Sequence, residues 1–154
     1  MRHELKYMLT PVQYEILRNQ LKWVLKPDEN ASDEGDYFIR SIYFDSPDRI
    51  ALKEKMSGIN NRRKYRIRFY NGDTSLCRLE CKEKTGSRIH KTSCKLTRIQ
   101  VEELLGLREL QIGNSILSAD NLSDKEMLLR QMQLLITGEG YEPVVTVDYV
   151  REAY

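Results

Sequence analysis

The stretch from Arg62 to Lys84 constrains this chain more than any other. Two runs, residues 62–70 and 76–84, alternate charged and apolar side chains around Asn71-Gly72-Asp73. An Asn-Gly pair between alternating runs is the strongest short-range signal for a β-hairpin. Strand side chains point to opposite faces in turn. Arg62, Lys64, Arg66 and Arg68 therefore share one face, and Tyr65, Ile67 and Phe69 share the other. The second run repeats the pattern, with Arg78, Glu80, Lys82 and Lys84 against Cys77, Leu79 and Cys81. Residues 3–9 alternate likewise, with Glu4 and Lys6 against Leu5, Tyr7 and Leu9, and predict a further strand. The chain must build a sheet that is charged on one side and apolar on the other.

Punctuation divides the rest. Thr10-Pro11-Val12-Gln13 reads as a capping box with Pro in the first helical position, opening a helix to about Val24. An acidic loop, 28–36, precedes an aromatic and β-branched strand over 37–44. Ser46-Pro47 predicts a short helix ending at Gly58. A turn at Thr85-Gly86 leads to a strand over 87–96. Thr97-Arg98-Ile99-Gln100 and Ser123-Asp124-Lys125-Glu126 are two more capping boxes, opening helices to Gly106 and about Gly138. A strand over 143–153 closes the order β-α-β-α-β-β-β-α-α-β. Mixed elements with antiparallel hairpins make the class α+β.

A length of 154 residues fits one domain, or one domain lacking a piece. Cys77 and Cys81 sit four apart in an extended segment, so their Cα atoms stand roughly 13 Å apart. That is beyond disulfide reach. With Cys94 they read as small buried apolar residues of a reduced, cytoplasmic protein. The opening MRHELKYMLT has no apolar signal core, and no apolar run reaches the ~18 residues of a membrane span.

The net charge of +2 says little, but its placement says more. The charged face of the hairpin carries seven cations and one carboxylate, Glu80. A merely solvated face would mix signs, because like charges opposite each other destabilise a sheet. Such an excess calls for a bound polyanion. Arg matches phosphate oxygens with a planar fork of donors, and Lys acts as a point charge. Glu4 and Glu80 are either metal ligands or ion-pair partners that orient the cations. His3 and His90 lack Cys or Asp partners at ligand spacing. Trp23, Met127 and Met132 have the spacing of helix packing residues, and Tyr37, Tyr43 and Phe44 read as core or barrel wall.

Several stretches together carry a family resemblance. They are Arg2-His3-Glu4-Leu5-Lys6-Tyr7, Arg40-Ser41-Ile42-Tyr43-Phe44-Asp45-Ser46-Pro47-Asp48, and Lys64-Tyr65-Arg66-Ile67-Arg68-Phe69-Tyr70. Leu79-Glu80-Cys81-Lys82-Glu83-Lys84, His90-Lys91 and Tyr149-Val150-Arg151-Glu152-Ala153-Tyr154 complete the set. The chain resembles the polyphosphate polymerase domain of the vacuolar transporter chaperone (VTC) family. Residues 1–154 correspond to the N-terminal portion of that single domain.

The resemblance implies a triphosphate tunnel, an antiparallel barrel lined by cations with helices outside. It implies an ATP-dependent phosphotransferase that adds the γ-phosphate to a growing polyphosphate chain, aided by Mn2+ or Mg2+. Phosphate-binding roles fall on Lys6, Arg66, Arg68, Lys82, Lys91 and Arg151, with Arg66, Arg68 and Lys82 closest to catalysis. Glu4 and Glu80 are its weaker metal candidates, and the family's main metal carboxylate lies in strands that follow Tyr154. Thr92-Ser93 stands where relatives often carry a second basic residue beside Lys91. Six strands fall short of the ~8 of a small closed barrel, so the tunnel is expected to be open or to pair edges in a homodimer. Related triphosphatases and cyclases carry Glu-x-Glu-x-Lys on the first strand, where this chain has Arg2-His3-Glu4-Leu5-Lys6. The partners expected are ATP and inorganic polyphosphate. Nucleic acid is not, since no basic surface interleaved with stacking aromatics is evident.

Overall fold

A computed structural model describes residues 5–29, 31–32, 34–108 and 123–154. Its elements run α1 (Pro11–Val24), β1 (Asp36–Asp45), α2 (Ile50–Met56), β2 (Arg62–Tyr70), β3 (Asp73–Thr85), β4 (Arg88–Lys95), α3 (Arg98–Leu104), α4 (Asp124–Glu139) and β5 (Glu142–Glu152). The strands form an antiparallel sheet in the order β4-β3-β2-β1-β5, open at both edges among the described residues. The class is α+β, as the element order predicts.

Asn71 and Gly72 both take left-handed backbone angles (φ 51° and 70°), so two residues suffice to turn β2 into β3. The turn is also tied to β1. Asn71 donates its backbone N–H to the Phe38 carbonyl, and its side-chain oxygen accepts from the Phe38 N–H. That clamp sets the hairpin against β1 in the register Ser41 to Arg68 and Tyr43 to Arg66.

One face of the sheet is apolar. Tyr65, Ile67, Cys77, Leu79, Cys81 and Cys94 pack there under Val101 and Leu104 of α3 and Leu128 and Met132 of α4. Ile67, Leu79 and Met132 are fully enclosed; burying each such side chain contributes about 1.5–3 kcal/mol. The three cysteines are free thiols inside this core.

Three capping boxes form as the sequence predicts, at Thr10, Thr97 and Ser123. The short helix behaves differently. It opens at Ile50 after a left-handed Arg49 that supplies no side-chain cap. Its free N–H groups are taken by residues at the end of β1: Asp45 Oδ1 accepts from Ala51, Oδ2 from Leu52, and Ser46 Oγ from Ile50.

Two expectations are corrected. Residues 5–10 are not in a strand, and Leu5, Tyr7 and Met8 are exposed. Alternation alone does not make a strand without a neighbour to complete its ladder; residues 1–4 of that stretch lie outside the described residues. Trp23 (90% exposed) and Met127 (52%) are not packing residues. Residues 127 and 132 stand about 140° apart around a helix turning 100° per residue, so only Met132 faces the core, stacked with Leu128. α1 buries none of its residues among those described, which leaves Trp23 outside.

Candidate phosphate-binding face

The other side of the sheet collects the cations. Antiparallel partners stand side by side on one face, so the register turns strand positions into rows. Lys64, Lys82 and Lys91 form one row across β2, β3 and β4. Beside it run Tyr43, Arg66, Glu80 and Ser93, then Ser41, Arg68, Arg78 and Lys95. Arg62 and Lys84 form the row on the far side of the lysines. Neighbouring rows are one pleat repeat, about 6.6 Å, apart.

Glu80 organises the centre. It is 2% exposed, and its Oε2 lies 2.7 Å from Arg66 Nη2 and 3.8 Å from Arg68 Nη1. Lys91 Nζ stands 2.5 Å from Oε1. Burial alone would push the Glu80 carboxyl up, but Lys91, Arg66 and Arg68 outweigh it and hold the group below the ordinary carboxylate range. One carboxylate thus neutralises part of three cations and fixes their positions.

The arginines are held from β1 and β5 as well. Arg66 Nη1 donates to Tyr43 Oη at 2.8 Å. Arg68 Nε donates to Ser41 Oγ at 3.3 Å, and its Nη2 to Tyr149 Oη at 3.2 Å. Each guanidinium still has N–H groups to spare beyond these contacts, since Arg carries five donors. Preset guanidinium groups with unspent donors suit phosphate oxygens without costly ordering on binding.

Residues 1–154 match the VTC domain family along their whole length. This chain belongs to the VTC domain family. A crystal structure from Bacillus halodurans, of a protein described as a candidate adenylate cyclase, superposes on the chain with a TM-score of 0.58 and 15% identity. The match covers 95% of this chain and 63% of that one, so the chain spans less than two thirds of that neighbour. At such identity the likeness establishes the fold, a triphosphate tunnel type that stays open here among the described residues. No curated protein matches the chain.

Within the VTC domain, the expected phosphate ligands are distributed unevenly. Arg66, Arg68, Lys82 and Lys91 share the central rows of one face. Arg151 is exposed on β5 opposite Tyr37, at the margin of that face. Lys6 precedes α1 in a segment without strand pairing, so the sheet register does not bring it to the rows. Glu4 lies outside the described residues. His90 pairs with Glu83 and stands on the face opposite to Lys91.

Sequence reasoning missed Ser41 and Tyr149, and read Tyr43 as core or barrel wall. Their roles depend on β1 lying beside β2 and β5 beside β1, which no local pattern specifies. As for the implied divalent metal, the described residues do not fit it. Glu80 is enclosed by cations, and no three His, Cys, Asp or Glu side chains converge among the described residues. Among these residues, no helix is long and apolar enough to cross a membrane.

Proposed function

We propose that the basic face binds the triphosphate of ATP and the end of a polyphosphate chain, and supports transfer of the γ-phosphate between them. One observation carries this reading: the face gathers cations in adjacent rows, and Glu80, its one central carboxylate among the described residues, is already shared by Arg66, Arg68 and Lys91. Seven cations against one carboxylate in the facing positions of β2 and β3 suit a chain of phosphates.

In the step itself, a terminal oxygen of the chain attacks the γ-phosphorus, the bond from that phosphorus to the β–γ bridging oxygen breaks, and ADP leaves. Such transfer asks the protein for alignment and neutralisation of charge rather than for a nucleophilic side chain. Arg66 and Arg68, preset by Glu80, Tyr43, Ser41 and Tyr149, would meet the developing charge without reorganising. Lys82 and Lys91 would hold neighbouring phosphates, with Lys6 and Arg151 engaging from the margins. Mn2+ or Mg2+ would enter as counterion of the triphosphate, since the described residues form no site for it. ATP as donor and unoxidised buried thiols fit a cytoplasmic setting, and the open edges β4 and β5 favour pairing of two chains.

The test is incubation with ATP and Mn2+ followed by separation of products by chain length. Long-chain polyphosphate with stoichiometric ADP supports the polymerase reading. Free phosphate alone points to a triphosphatase, and cyclic AMP to a cyclase, the activity by which the Bacillus halodurans neighbour is described. Sedimentation over a range of concentrations tests the pairing, and a monomer throughout counts against it.

A further inference from the structure

One hydroxyl on the basic face is left without a bond. Ser93 ends the row of Tyr43, Arg66 and Glu80, directly opposite Glu80 in the register of β3 and β4. Its Oγ is enclosed, yet it has no hydrogen-bond partner among the described residues. Buried hydroxyls are nearly always satisfied, and an orphan loses its hydration without return. Glu80, across the strand pair, has the matching deficit. Its Oε2 takes Arg66 and Arg68, whereas Oε1 has the Lys91 ammonium at 2.5 Å and no aligned hydrogen bond.

The two partners of this ion pair differ in freedom. The Lys91 side chain is 43% exposed and long enough to turn outward, while that of Glu80 is 2% exposed and fixed by the arginines. An anion that attracts Lys91 therefore bares Oε1 in a place that water does not reach, which is costly for a carboxylate. Ser93 stands where it can make good that loss. Directly opposed residues have Cβ atoms about 4.5–5.5 Å apart, so a change of χ1 rotamer brings a serine hydroxyl within reach of the carboxylate opposite.

We propose that Ser93 is a positioning residue that replaces Lys91 at Glu80: when a phosphate draws the Lys91 ammonium outward, the Ser93 hydroxyl rotates and donates to Glu80 Oε1. This rests on the proposed phosphate-binding function. The exchange keeps the buried carboxylate satisfied, so Arg66 and Arg68 hold their places while Lys91 is released to the ligand. It also accounts for an enclosed hydroxyl that bonds to nothing while Lys91 occupies Glu80.

The experiment combines melting curves with calorimetric titration of inorganic tripolyphosphate, for the full chain, Ser93→Ala, Ser93→Thr, Lys91→Met and the double variant Lys91→Met/Ser93→Ala. Without ligand, Ser93→Ala removes an unused buried hydroxyl and should melt about 2–4 °C above the parent. In Lys91→Met the hydroxyl already bonds Glu80, so adding Ser93→Ala should lower the melting temperature by a similar amount. A serine with a merely structural role gives one sign in both backgrounds, and that result, or no effect in either, overturns the exchange. In the titration, Ser93→Ala should bind tripolyphosphate about tenfold more weakly than the parent, the effect of one hydrogen bond to a charged group. Ser93→Thr, which keeps the hydroxyl, should bind as the parent does. In the Lys91→Met background Ser93→Ala should change affinity less than about twofold, because no exchange remains to be made. Unchanged binding by Ser93→Ala, or equal weakening by Ser93→Thr, overturns the proposal. Failure of the parent to bind tripolyphosphate removes the phosphate-binding reading; the reversal of sign in the melting curves then stands for the exchange at Glu80, and its absence removes both.

Discussion

The consequence of Glu80 at the level of single residues is that binding and stability are coupled at Arg66. Removing one partner of a buried ion pair costs about 3–5 kcal/mol when the other is left bare. Here Lys91 and Arg68 still face Glu80, so Arg66→Ala should lose less, about 1–3 kcal/mol. Adding Glu80→Gln should recover part of that loss, which urea unfolding of the double variant would reveal. Arg66→Ala and Arg68→Ala should also weaken tripolyphosphate binding by at least tenfold. Ile67→Arg, one position along, should instead unfold the chain, because Ile67 is fully enclosed. Normal triphosphate binding by Arg66→Ala, together with a folded Ile67→Arg, would invert the assignment of the two faces. Glu80 also has a pH signature. Its folded pKa lies below its unfolded value, so its stabilising effect is present above about pH 4.3 and disappears as pH falls through the folded value. Glu80→Gln should be the less stable protein at neutral pH, with the gap narrowing below about pH 4.

Elements with a self-contained signal were legible in the sequence. The capping boxes at Thr10, Thr97 and Ser123 each specify a helix start through three or four residues. Asn71-Gly72 specifies a two-residue turn, and alternation on either side separates the cation face from the core. Where the deciding partner is distant, the local pattern misleads. Residues 5–9 alternate as well as β2 does, yet no strand among the described residues pairs with them. The start of α2 shows a milder case, since the caps come from Asp45 and Ser46 rather than from the residue before the helix. Asp45→Ala removes acceptors from three N–H groups and should cost about 1–2 kcal/mol. Hydrogen exchange should then rise in Ala51 and Leu52 while the amides of β3 stay protected.

Across the whole molecule, the sequence marks which residues share the cation face but not which strands lie side by side. The row Tyr43, Arg66, Glu80 and Ser93 exists only because β1, β2, β3 and β4 adjoin in that order. That order also sets a timetable for folding. β2, β3 and β4 are joined by tight turns, whereas β1 and β5 meet across about a hundred residues. Closing so long a loop costs about 4 kcal/mol of chain entropy, against about 2 for a loop of a dozen. Pairings between distant segments form slowly for this reason. In pulse-labelled refolding, the amides of Ile67 and Leu79 should therefore be protected before those of Val145 and Val147, and simultaneous protection would contradict the order. In the interval the guanidinium groups are already in place on β2 while Arg68 still lacks the Tyr149 hydroxyl. A phosphate chain present during refolding would meet a half-built site, and β5 would be laid down beside an anion already bound.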